Sequence, residues 1–374
     1  NSTITKSIPE LEIWAGSPAK IISKRDSKAL KYKLNYFPKF SWYYMEKQTK
    51  KAVITGIYGQ DGSYLCEILS KLGYLVYGIT KENLSKNSQK IKKYLENKNI
   101  CPIVYNTDLN NLEELQKLLI EINPDEIYHL AAFHNSSENT KDENKSAILN
   151  EILLYDYNTK STSNILYIAT EFLKSKVVIA GSCLMFDDSS TNIQNENTPF
   201  CSKSLYGLAK ISEYELAQYY RKKGAHVSCA ILYNHESSRR ADDFVTKKIV
   251  KNLVKIKKGE INNFTLGNTD VKKDWGYAKD YAYAMYLMTQ QNTSDNYVLS
   301  TGQLHSIKDI INICANFLKI DNVYSCINID NSIIGRKINK TLIGDYNYAK
   351  EKLGFKHSLN FNDIIELMIK NELN

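Results

Sequence analysis

Tyr206 and Lys210, in the stretch Tyr206-Gly-Leu-Ala-Lys210, have the type and spacing that most clearly predict chemistry. Residues four positions apart share one face of a helix, so the Lys210 ammonium is expected beneath the Tyr206 phenol. A phenol ordinarily has a pKa of about 10, and a neighbouring cation together with the charge of a bound cofactor lowers that pKa. Such a phenol can remove the proton of a sugar hydroxyl while hydride leaves for a nicotinamide. Ser182, at the end of the preceding predicted strand, is expected to hydrogen-bond the same oxygen.

A glycine-rich loop joins the first predicted strand to the first predicted helix. Gly56 permits a tight turn, Gly59 lets the backbone approach a pyrophosphate, and Gly62 allows the helix to pack closely on the sheet. The free N–H groups at the start of the helix then point at the phosphates. The G-x-x-G-x-x-G spacing is typical of short-chain dehydrogenases. The cofactor-binding residues predicted in this loop are Gly56, Tyr58, Gly59, Gln60, Asp61 and Gly62.

Residues after the next strands are expected to complete the dinucleotide site. Lys81 follows the second strand, where a basic residue favours NADP over NAD, although the adjacent Glu82 leaves NAD open. Asp108, after the third strand, is expected either at the adenine edge or as a cap of its own loop. The remaining predicted cofactor contacts are Leu109, Leu130, Ala131, Ala132, Tyr206 and Lys210.

Strand-like apolar runs alternate with helical patterns from Lys51 onward. The predicted strands are Ala52–Thr55, Leu75–Ile79, Pro102–Tyr105, Glu126–Ala132, Val177–Ala180 and Val227–Leu232, and the predicted helices are Ser63–Leu72, Leu112–Ile122, Ala147–Phe172 and Leu205–Lys223. Strands that alternate with helices of this length require parallel crossovers. The sequence therefore predicts an α/β fold, a doubly wound parallel Rossmann sheet with a smaller C-terminal substrate lobe.

Three regions are predicted along the chain: an N-terminal extension (1–50), an NAD(P)-binding domain (51–241) and a sugar-nucleotide-binding lobe (242–374), with some crossing of the chain between the last two. Residues 9–25 resemble the C-terminal exit of a left-handed β-helix acyltransferase. No hexapeptide repeats precede them, and fewer than three coils cannot bury a core, so we expect no transferase activity there. We hypothesise that the enzyme starts at Met45; a native extension packed on the surface is the alternative.

The composition limits the class of protein. The net charge of +8 comes from lysines spread along the whole chain, which indicates a solvated surface rather than a nucleic-acid groove. The longest apolar stretch is about half the roughly 20 residues needed to span a bilayer. The seven cysteines form no C-x-x-C pair, which is typical of reduced thiols in a cytoplasmic protein. No metal site, membrane segment or nucleic-acid partner is therefore expected.

Further motifs give this sequence a specific resemblance. They are Thr55-Gly-Ile-Tyr-Gly-Gln-Asp-Gly-Ser-Tyr-Leu65, Pro124-Asp-Glu-Ile-Tyr128, Leu232-Tyr-Asn-His-Glu-Ser-Ser-Arg-Arg240, Phe244-Val-Thr-Lys-Lys248, Leu266-Gly-Asn-Thr-Asp270, Lys273-Asp-Trp-Gly-Tyr-Ala-Lys-Asp-Tyr281 and Leu342-Ile-Gly-Asp345. Together they resemble the GDP-mannose 4,6-dehydratases, extended short-chain dehydrogenases, over essentially all of 51–374. The resemblance implies a GDP-sugar substrate and a homodimer or homotetramer.

The resemblance also implies where the substrate binds. Asn234, Glu236, Ser237 and Arg240 belong near its nucleotide and sugar, and Lys247 and Lys273 near its diphosphate. For Lys247, a solvated helix lysine is the alternative. The nucleotide-ribose motif of the family is replaced around Arg336, in uncertain register, and Arg336 is the substrate contact predicted there.

One departure from the family pattern bears on the reaction. The dehydratases carry Thr-Ser-Glu after the fifth strand, and this glutamate moves the C5 proton and helps to expel the C6 hydroxyl. This chain reads Ser182-Cys183-Leu184, and Leu184 can neither accept nor donate a proton. Oxidation at C4 needs only Ser182, Tyr206, Lys210 and a cofactor, whereas elimination needs the missing carboxylate. The residues that could replace it are Cys183, Asp187, His134 and Glu138.

We therefore expect an NAD(P)-dependent enzyme that oxidises or reduces C4 of a GDP-hexose or GDP-heptose. An active 4,6-dehydratase with a substitute acid–base residue is one alternative, and a non-catalytic, cofactor-bound partner protein is another. The polar insertion at His134–Ser146 is expected beside the sugar, as a mobile loop or as a lid.

Overall fold

The computed structural model describes residues 12–15, 20–24, 49–133, 145–187, 189–330 and 341–373. Contacts divide the chain into two units, 1–48 and 49–374. In the first unit, strands β1 (Glu12–Ala15) and β2 (Lys20–Lys24) pair antiparallel. Met45 lies outside the described residues, so the hypothesis about where the enzyme starts stays a prediction.

The second unit is built on a parallel sheet of seven strands. These are β3 (Lys51–Thr55), β4 (Leu75–Thr80), β5 (Ile103–Asn106), β6 (Glu126–His129), β7 (Lys176–Ala180), β9 (Val227–Leu232) and β13 (Asn296–Leu299). Their order across the sheet is β13-β9-β7-β6-β3-β4-β5, and every neighbouring pair is parallel. All six residues of β9 are buried, as expected for a sheet covered on both faces. The doubly wound Rossmann fold predicted from the sequence is confirmed.

Helices connect these strands. They are α1 (Gln60–Lys71), α2 (Lys86–Asn97), α3 (Leu112–Ile122), α4 (Lys145–Ile168) and α5 (Leu205–Lys222), and α4 continues into a π-helical turn at Ala169–Leu173. The chain runs outward from β3 through β4 to β5 and then returns to β6 on the other side of β3. Ligands of such sheets bind at this reversal, outside the carboxyl ends of the strands.

The rest of the second unit forms a smaller packed region. Its elements are β8 (Ile193–Gln194), β10 (Asn234–Glu236), α6 (Val245–Lys257), β11 (Phe264–Leu266), β12 (Lys272–Tyr277), α7 (Ala278–Thr289), β14 (Leu304–Ser306), α8 (Ile307–Leu318), β15 (Ile327–Ile329), β16 (Ile343–Gly344), α9 (Asn347–Leu353) and α10 (Phe361–Leu373). Buried side chains of α6, α8 and α10 form a core around Trp275. Because β13 and α7 return to the large sheet, this part of the chain contributes to both regions; the domain boundary at 241 stays a prediction.

Three differences from the sequence prediction concern the large sheet and the helices beside it. α2 was not predicted, because only Ile91 and Leu95 of its twelve residues are buried and the pattern is therefore almost entirely polar. β13 was not predicted, since a four-residue strand that pairs with β9 leaves no local signal. The strand predicted over 126–132 ends at His129, after which the chain turns toward Gly56.

The structure contains no helix, within its described residues, that is long and apolar enough to cross a membrane.

Candidate active site

The predicted catalytic pair lies at the start of α5. Ser204 caps this helix, and its hydroxyl accepts a hydrogen bond from the Gly207 amide at 3.1 Å. Tyr206 occupies the first turn and is half-buried, while Lys210 lies one turn later with 3% of its surface exposed. The Lys210 Nζ atom is 5.8 Å from the centre of the Tyr206 ring. The ammonium therefore lies beside the phenol, as the four-residue spacing predicts.

The loop after β7 meets the same end of α5. The Ser182 hydroxyl accepts a hydrogen bond from the Leu184 amide at 3.2 Å, which opens a short 3₁₀ turn, Cys183–Phe186. A Cβ atom added to Gly207 would lie only 2.5 Å from the Leu184 carbonyl oxygen. The backbone of Leu184 is thus pressed against the residue that follows Tyr206. The structure brings Ser182, Leu184 and Tyr206 together at the carboxyl edge of the sheet.

Two of the residues considered as substitutes for a carboxylate at position 184 can be assessed here. Cys183 is buried, and burial raises the pKa of its thiol to about 12, so it stays protonated at neutral pH. The Asp187 carboxylate accepts a hydrogen bond from the Lys203 amide at 2.9 Å, which ties together the two loops beside α5. His134 and Glu138, with most of the predicted insertion, lie outside the described residues.

The glycine loop has the tight turn and the close helix packing that were predicted for its glycines. Gly56 adopts φ +71°, a left-handed conformation that favours glycine. A Cβ atom on Gly62 would lie 2.4 Å from the Gly56 carbonyl oxygen, so helix and loop approach closely only because Gly62 lacks a side chain. Gly59 caps α1 in an extended conformation without a side-chain hydrogen bond to the first turn. The N–H groups there are not capped by a side chain and fit a phosphate group.

Other side chains of this loop are used within the protein. Tyr58 is buried in the core. Gln60 donates to the His235 carbonyl oxygen at 3.1 Å and accepts from the Ser237 hydroxyl at 2.8 Å. Asp61 Oδ2 lies 3.0 Å from His235 Nε2. Gln60 and Asp61 thereby join the start of α1 to β10 and the residue that follows it.

The remaining predicted cofactor residues surround this loop at the ends of neighbouring strands. Lys81 is exposed directly after β4. Asp108 is also exposed, and its carboxylate accepts from the Asn110 amide at 3.0 Å, which fits the loop cap considered from the sequence. Leu109 is buried, and its carbonyl oxygen accepts from Asn164 at 2.9 Å. The cofactor roles of Lys81, Asp108 and Leu109 stay predictions.

Thr55 and His129 form a buried hydrogen bond that the sequence analysis missed. Their Oγ1 and Nδ1 atoms are 2.9 Å apart, at the carboxyl ends of β3 and β6. The same Thr55 oxygen accepts the amides of Leu130 and Ala131, at 3.1 and 3.0 Å. This holds Ala131 against Gly56, while Ala132 is exposed beside the loop. The sequence signal is weak, because Thr55 ends the first predicted strand while His129 lies within the fourth, Glu126–Ala132.

Comparison with known proteins decides the family. A sequence profile described as GDP-mannose 4,6 dehydratase matches residues 53–368. The chain belongs to the GDP-mannose 4,6-dehydratase family. It is 34% identical over 342 residues to GDP-mannose 4,6 dehydratase 1 of Arabidopsis thaliana, which covers 87% of this chain and 91% of that protein. It is 32% identical over 360 residues to the human GDP-mannose 4,6 dehydratase, which covers 87% and 92%.

Structural similarity agrees with the fold. The dTDP-glucose 4,6-dehydratase of Bacillus anthracis, solved in complex with NAD, has a TM-score of 0.73 at 16% identity and covers 86% of this chain and 96% of that one. The family assigned from the motifs is confirmed, and so is the predicted class of enzyme, a nucleotide-sugar enzyme of the NAD(P)-dependent short-chain dehydrogenase type.

The Asn-His-Glu-Ser block of this family member contains the predicted substrate residues. Glu236 is buried and accepts from the Thr246 hydroxyl at 2.7 Å, and the Arg240 Nε atom lies 3.3 Å from it. Ser237 is buried against Gln60. Asn234 is half-buried, and its amide donates to the Asp274 carbonyl oxygen at 3.4 Å. Ser237 and Gln60 therefore connect the block to the start of α1.

The predicted diphosphate ligands lie in different surroundings. Lys247 is buried, forms an ion pair with Glu372 and donates to the Ser238 carbonyl oxygen at 3.0 Å. Lys273 is half-buried on β12, and its charge lowers the pKa of the Cys183 thiol against the larger effect of burial. Lys273 therefore lies close enough to Cys183 for its charge to act on the thiol. Arg336 lies outside the described residues, so its role stays a prediction.

Two further charged residues of this region were not predicted. Glu213, three residues after Lys210, forms a buried ion pair with it, with 3.0 Å between Oε2 and Nζ. Arg239 lies between two aromatic rings, with its guanidinium 3.8 Å from the centre of Tyr64 and 4.5 Å from that of Tyr94. The i,i+3 spacing could have predicted the first contact; the second depends on the tertiary fold.

Proposed function

We propose that this protein oxidises or reduces C4 of a GDP-linked hexose or heptose without removing water from the sugar. The observation that carries the proposal is that the loop containing Leu184 packs against the first turn of α5, which holds Tyr206. Leu184 occupies the position at which the resemblance to the family implies an acid–base carboxylate. NADP is the proposed cofactor, because Lys81 is basic and exposed after β4, and NAD is the alternative.

Tyr206 carries the proton in this reaction. Its phenol, with the Lys210 ammonium beside it, takes the proton of the C4 hydroxyl in the oxidising direction and returns it in the reducing direction. Ser182 hydrogen-bonds the C4 oxygen and fixes its orientation. The chemistry that a nicotinamide would supply here is the uptake or donation of the hydride. The glycine loop, with Gly56, Gly59 and Gly62, is the part of the chain that would hold its pyrophosphate.

Elimination across C5 and C6 has no carboxylate at position 184 to carry its proton. Leu184 has no ionisable group, the Cys183 thiol is buried with a pKa of about 12, and the Asp187 carboxylate holds the Lys203 amide. General acid–base catalysis is worth roughly 10²–10⁴-fold. Its loss favours a product that keeps the C6 hydroxyl. Family membership favours the second candidate, a 4,6-dehydratase with a substitute acid–base residue.

We also propose a cytoplasmic homodimer or homotetramer. The exposed apolar residues Leu149, Ile152 and Leu153, all on α4, support self-association because together they leave an apolar helix face uncovered. Sedimentation of the purified protein tests this, and a monomer at high concentration contradicts it.

Product analysis tests the proposed reaction. GDP-mannose, a GDP-heptose and their 4-keto derivatives are incubated with the enzyme, with NADP(H) and NAD(H) supplied separately, and the products are identified by mass spectrometry. We expect interconversion of alcohol and ketone at C4 with the C6 hydroxyl retained. A 6-deoxy-4-keto product would show that the protein is a dehydratase with a substitute residue.

A further inference from the structure

Glu213 continues the row that Tyr206 and Lys210 form along one face of α5. Its Oε2 atom accepts a hydrogen bond from Lys210 Nζ at 3.0 Å. Only 4% of the Lys210 side chain and 1% of the Glu213 side chain are exposed. The ammonium therefore lies between a phenol on one side and a carboxylate on the other, with almost no access to water.

The groups that face this pair from neighbouring elements carry no compensating charge. His129 approaches from β6, and burial, reinforced by Lys210, lowers its pKa to about 3, so the ring is neutral. Cys229 approaches from β9, and burial raises the pKa of its thiol to about 12. Thr162, which faces Glu213 from α4, is a neutral hydroxyl. Glu213 is the carboxylate that acts most strongly on Lys210.

Burial by itself disfavours a charged lysine. It lowers the pKa of Lys210, but Glu213 and Tyr206 outweigh it, so that the pKa lies above its ordinary value. Burial likewise raises the pKa of the Glu213 carboxyl, which the adjacent ammonium opposes. A buried ion pair is a weak source of stability, because desolvation offsets the attraction between its charges. The effect of Glu213 on the charge of Lys210 is thus a better account of this pair than stability.

We propose that Glu213 is a positioning residue that holds Lys210 as a charged ammonium beneath Tyr206. The inference rests on the proposed function, in which Tyr206 and Lys210 are the acid–base pair. Glu213 follows Tyr206 by seven residues, which corresponds to about 10 Å along a helix. It lies too far along the helix to replace the carboxylate missing at position 184, so it acts through Lys210.

Nuclear magnetic resonance of the lysine side chains tests this directly. The full-length protein is labelled at lysine Cε, Lys210 is assigned with Lys210→Arg, and its signal is followed against pH in the wild type, in Glu213→Gln and in Glu213→Asp. We expect Lys210 to stay charged far into the alkaline range in the wild type and to titrate at least about one pH unit lower in Glu213→Gln. Glu213→Asp keeps the carboxylate charge, so Lys210 should titrate in this variant at the same high pH as in the wild type. Identical titrations in the wild type and Glu213→Gln would overturn the proposal.

If Glu213→Gln does not fold, the wild type and Glu213→Asp are compared instead. A wild-type Lys210 that is uncharged near neutral pH overturns the proposal. A Lys210 ammonium that is retained into the alkaline range in the wild type and in Glu213→Asp supports it. The activity measurement is independent: the alkaline limb of kcat should move to lower pH in Glu213→Gln with little change in KM. If the wild type converts no GDP-sugar at all, the proposed function fails, while the titration still decides the role of Glu213.

Discussion

The carboxylate of Asp61 lies 3.0 Å from Nε2 of His235, and the carbonyl oxygen of Tyr233 lies 2.7 Å from Nδ1 of the same ring. Both ring nitrogens face acceptors, which an imidazolium satisfies by donating twice. Asp61 belongs to the first turn after the glycine loop, and His235 belongs to the Asn-His-Glu-Ser block. This ion pair therefore links the predicted cofactor site to the predicted substrate site.

Asp61→Asn should destabilise the protein by about 1–3 kcal/mol, because it removes the counter-charge of a buried imidazolium. Against burial, Asp61 raises the pKa of His235 and His235 lowers that of Asp61. The contribution of His235 to the free energy of unfolding is fully present below the pKa of the unfolded state, about 6.5. It is lost as pH rises through the higher pKa of His235 in the folded protein. The contribution of Asp61 to the free energy of unfolding is fully present above the ordinary pKa of the carboxyl, about 3.8. It is lost as pH falls through the lower pKa of Asp61 in the folded protein.

Urea unfolding across pH measures this effect. The difference between wild type and Asp61→Asn should be largest in mildly acidic solution, where both groups are charged. Asp270→Asn, which removes an exposed ion pair with Lys308, is the control and should unfold like the wild type. A difference that does not vary with pH would contradict the charged pair.

Gly207→Ala should reduce turnover while leaving the sheet intact. The added Cβ atom would lie 2.1 Å from the Ser202 hydroxyl and 2.5 Å from the Leu184 carbonyl oxygen, so the first turn of α5 must shift. A displacement of about 1 Å at Tyr206 can reduce kcat by roughly 100-fold. Leu208→Ala, on the same turn but 40% exposed, is the control. Steady-state kinetics with circular dichroism checks this, and full activity in Gly207→Ala would contradict the proximity argument.

Leu184→Glu should introduce dehydration. The new carboxylate would stand in the 3₁₀ turn after Ser182, which packs against the first turn of α5. The resemblance to the family implies an acid–base residue at this position. We expect the 6-deoxy-4-keto product to increase by roughly 10²–10⁴-fold. Leu184→Gln, similar in size and unable to transfer a proton, should not form it. Mass spectrometry of both variants distinguishes these outcomes, and dehydration by neither would mean that a single carboxylate is insufficient.

Arg239→Lys should lower the free energy of unfolding by about 1–3 kcal/mol. The Arg239 guanidinium donates to the Ser63 hydroxyl at 3.1 Å and to Glu67 at 2.5 Å, and it stacks on Tyr64. Lysine cannot reproduce this planar set of donors. Lys71→Met is a matched control, since Lys71 pairs with the same Glu67 but is 65% exposed. Equal midpoints of urea denaturation for the two variants would contradict a special role for Arg239.

Local pattern was sufficient to predict most of the sheet and the glycine loop. The bounds of α3 (Leu112–Ile122) and β9 (Val227–Leu232) match the prediction, because their apolar residues lie on one helical face or form a continuous buried run. The elements that were missed lack such a signal. α2 is polar on nearly all sides, and β13 is stabilised by pairing with β9, a strand that lies far away in the sequence.

The candidate site was predictable wherever one helix or one turn determines the geometry. Tyr206 and Lys210 share a helical face, so their proximity follows from spacing alone. The partners of Gln60 and Asp61 could not be derived in this way, since they come from β10 and the residue after it, which only the tertiary fold brings to the start of α1. The ion pair between Lys247 and Glu372 could not be predicted from the sequence, because the two residues are more than a hundred positions apart.

Transfer of a labelled hydride tests the central claim most directly. The enzyme is incubated with a GDP-sugar deuterated at C4 and with oxidised NADP. The cofactor and the sugar are then isolated, and their masses are determined by mass spectrometry. We predict that the label appears on the reduced cofactor, that the sugar keeps its C6 hydroxyl, and that Tyr206→Phe abolishes the transfer. Transfer that is undiminished in Tyr206→Phe, or a sugar that has lost a molecule of water, would contradict the account.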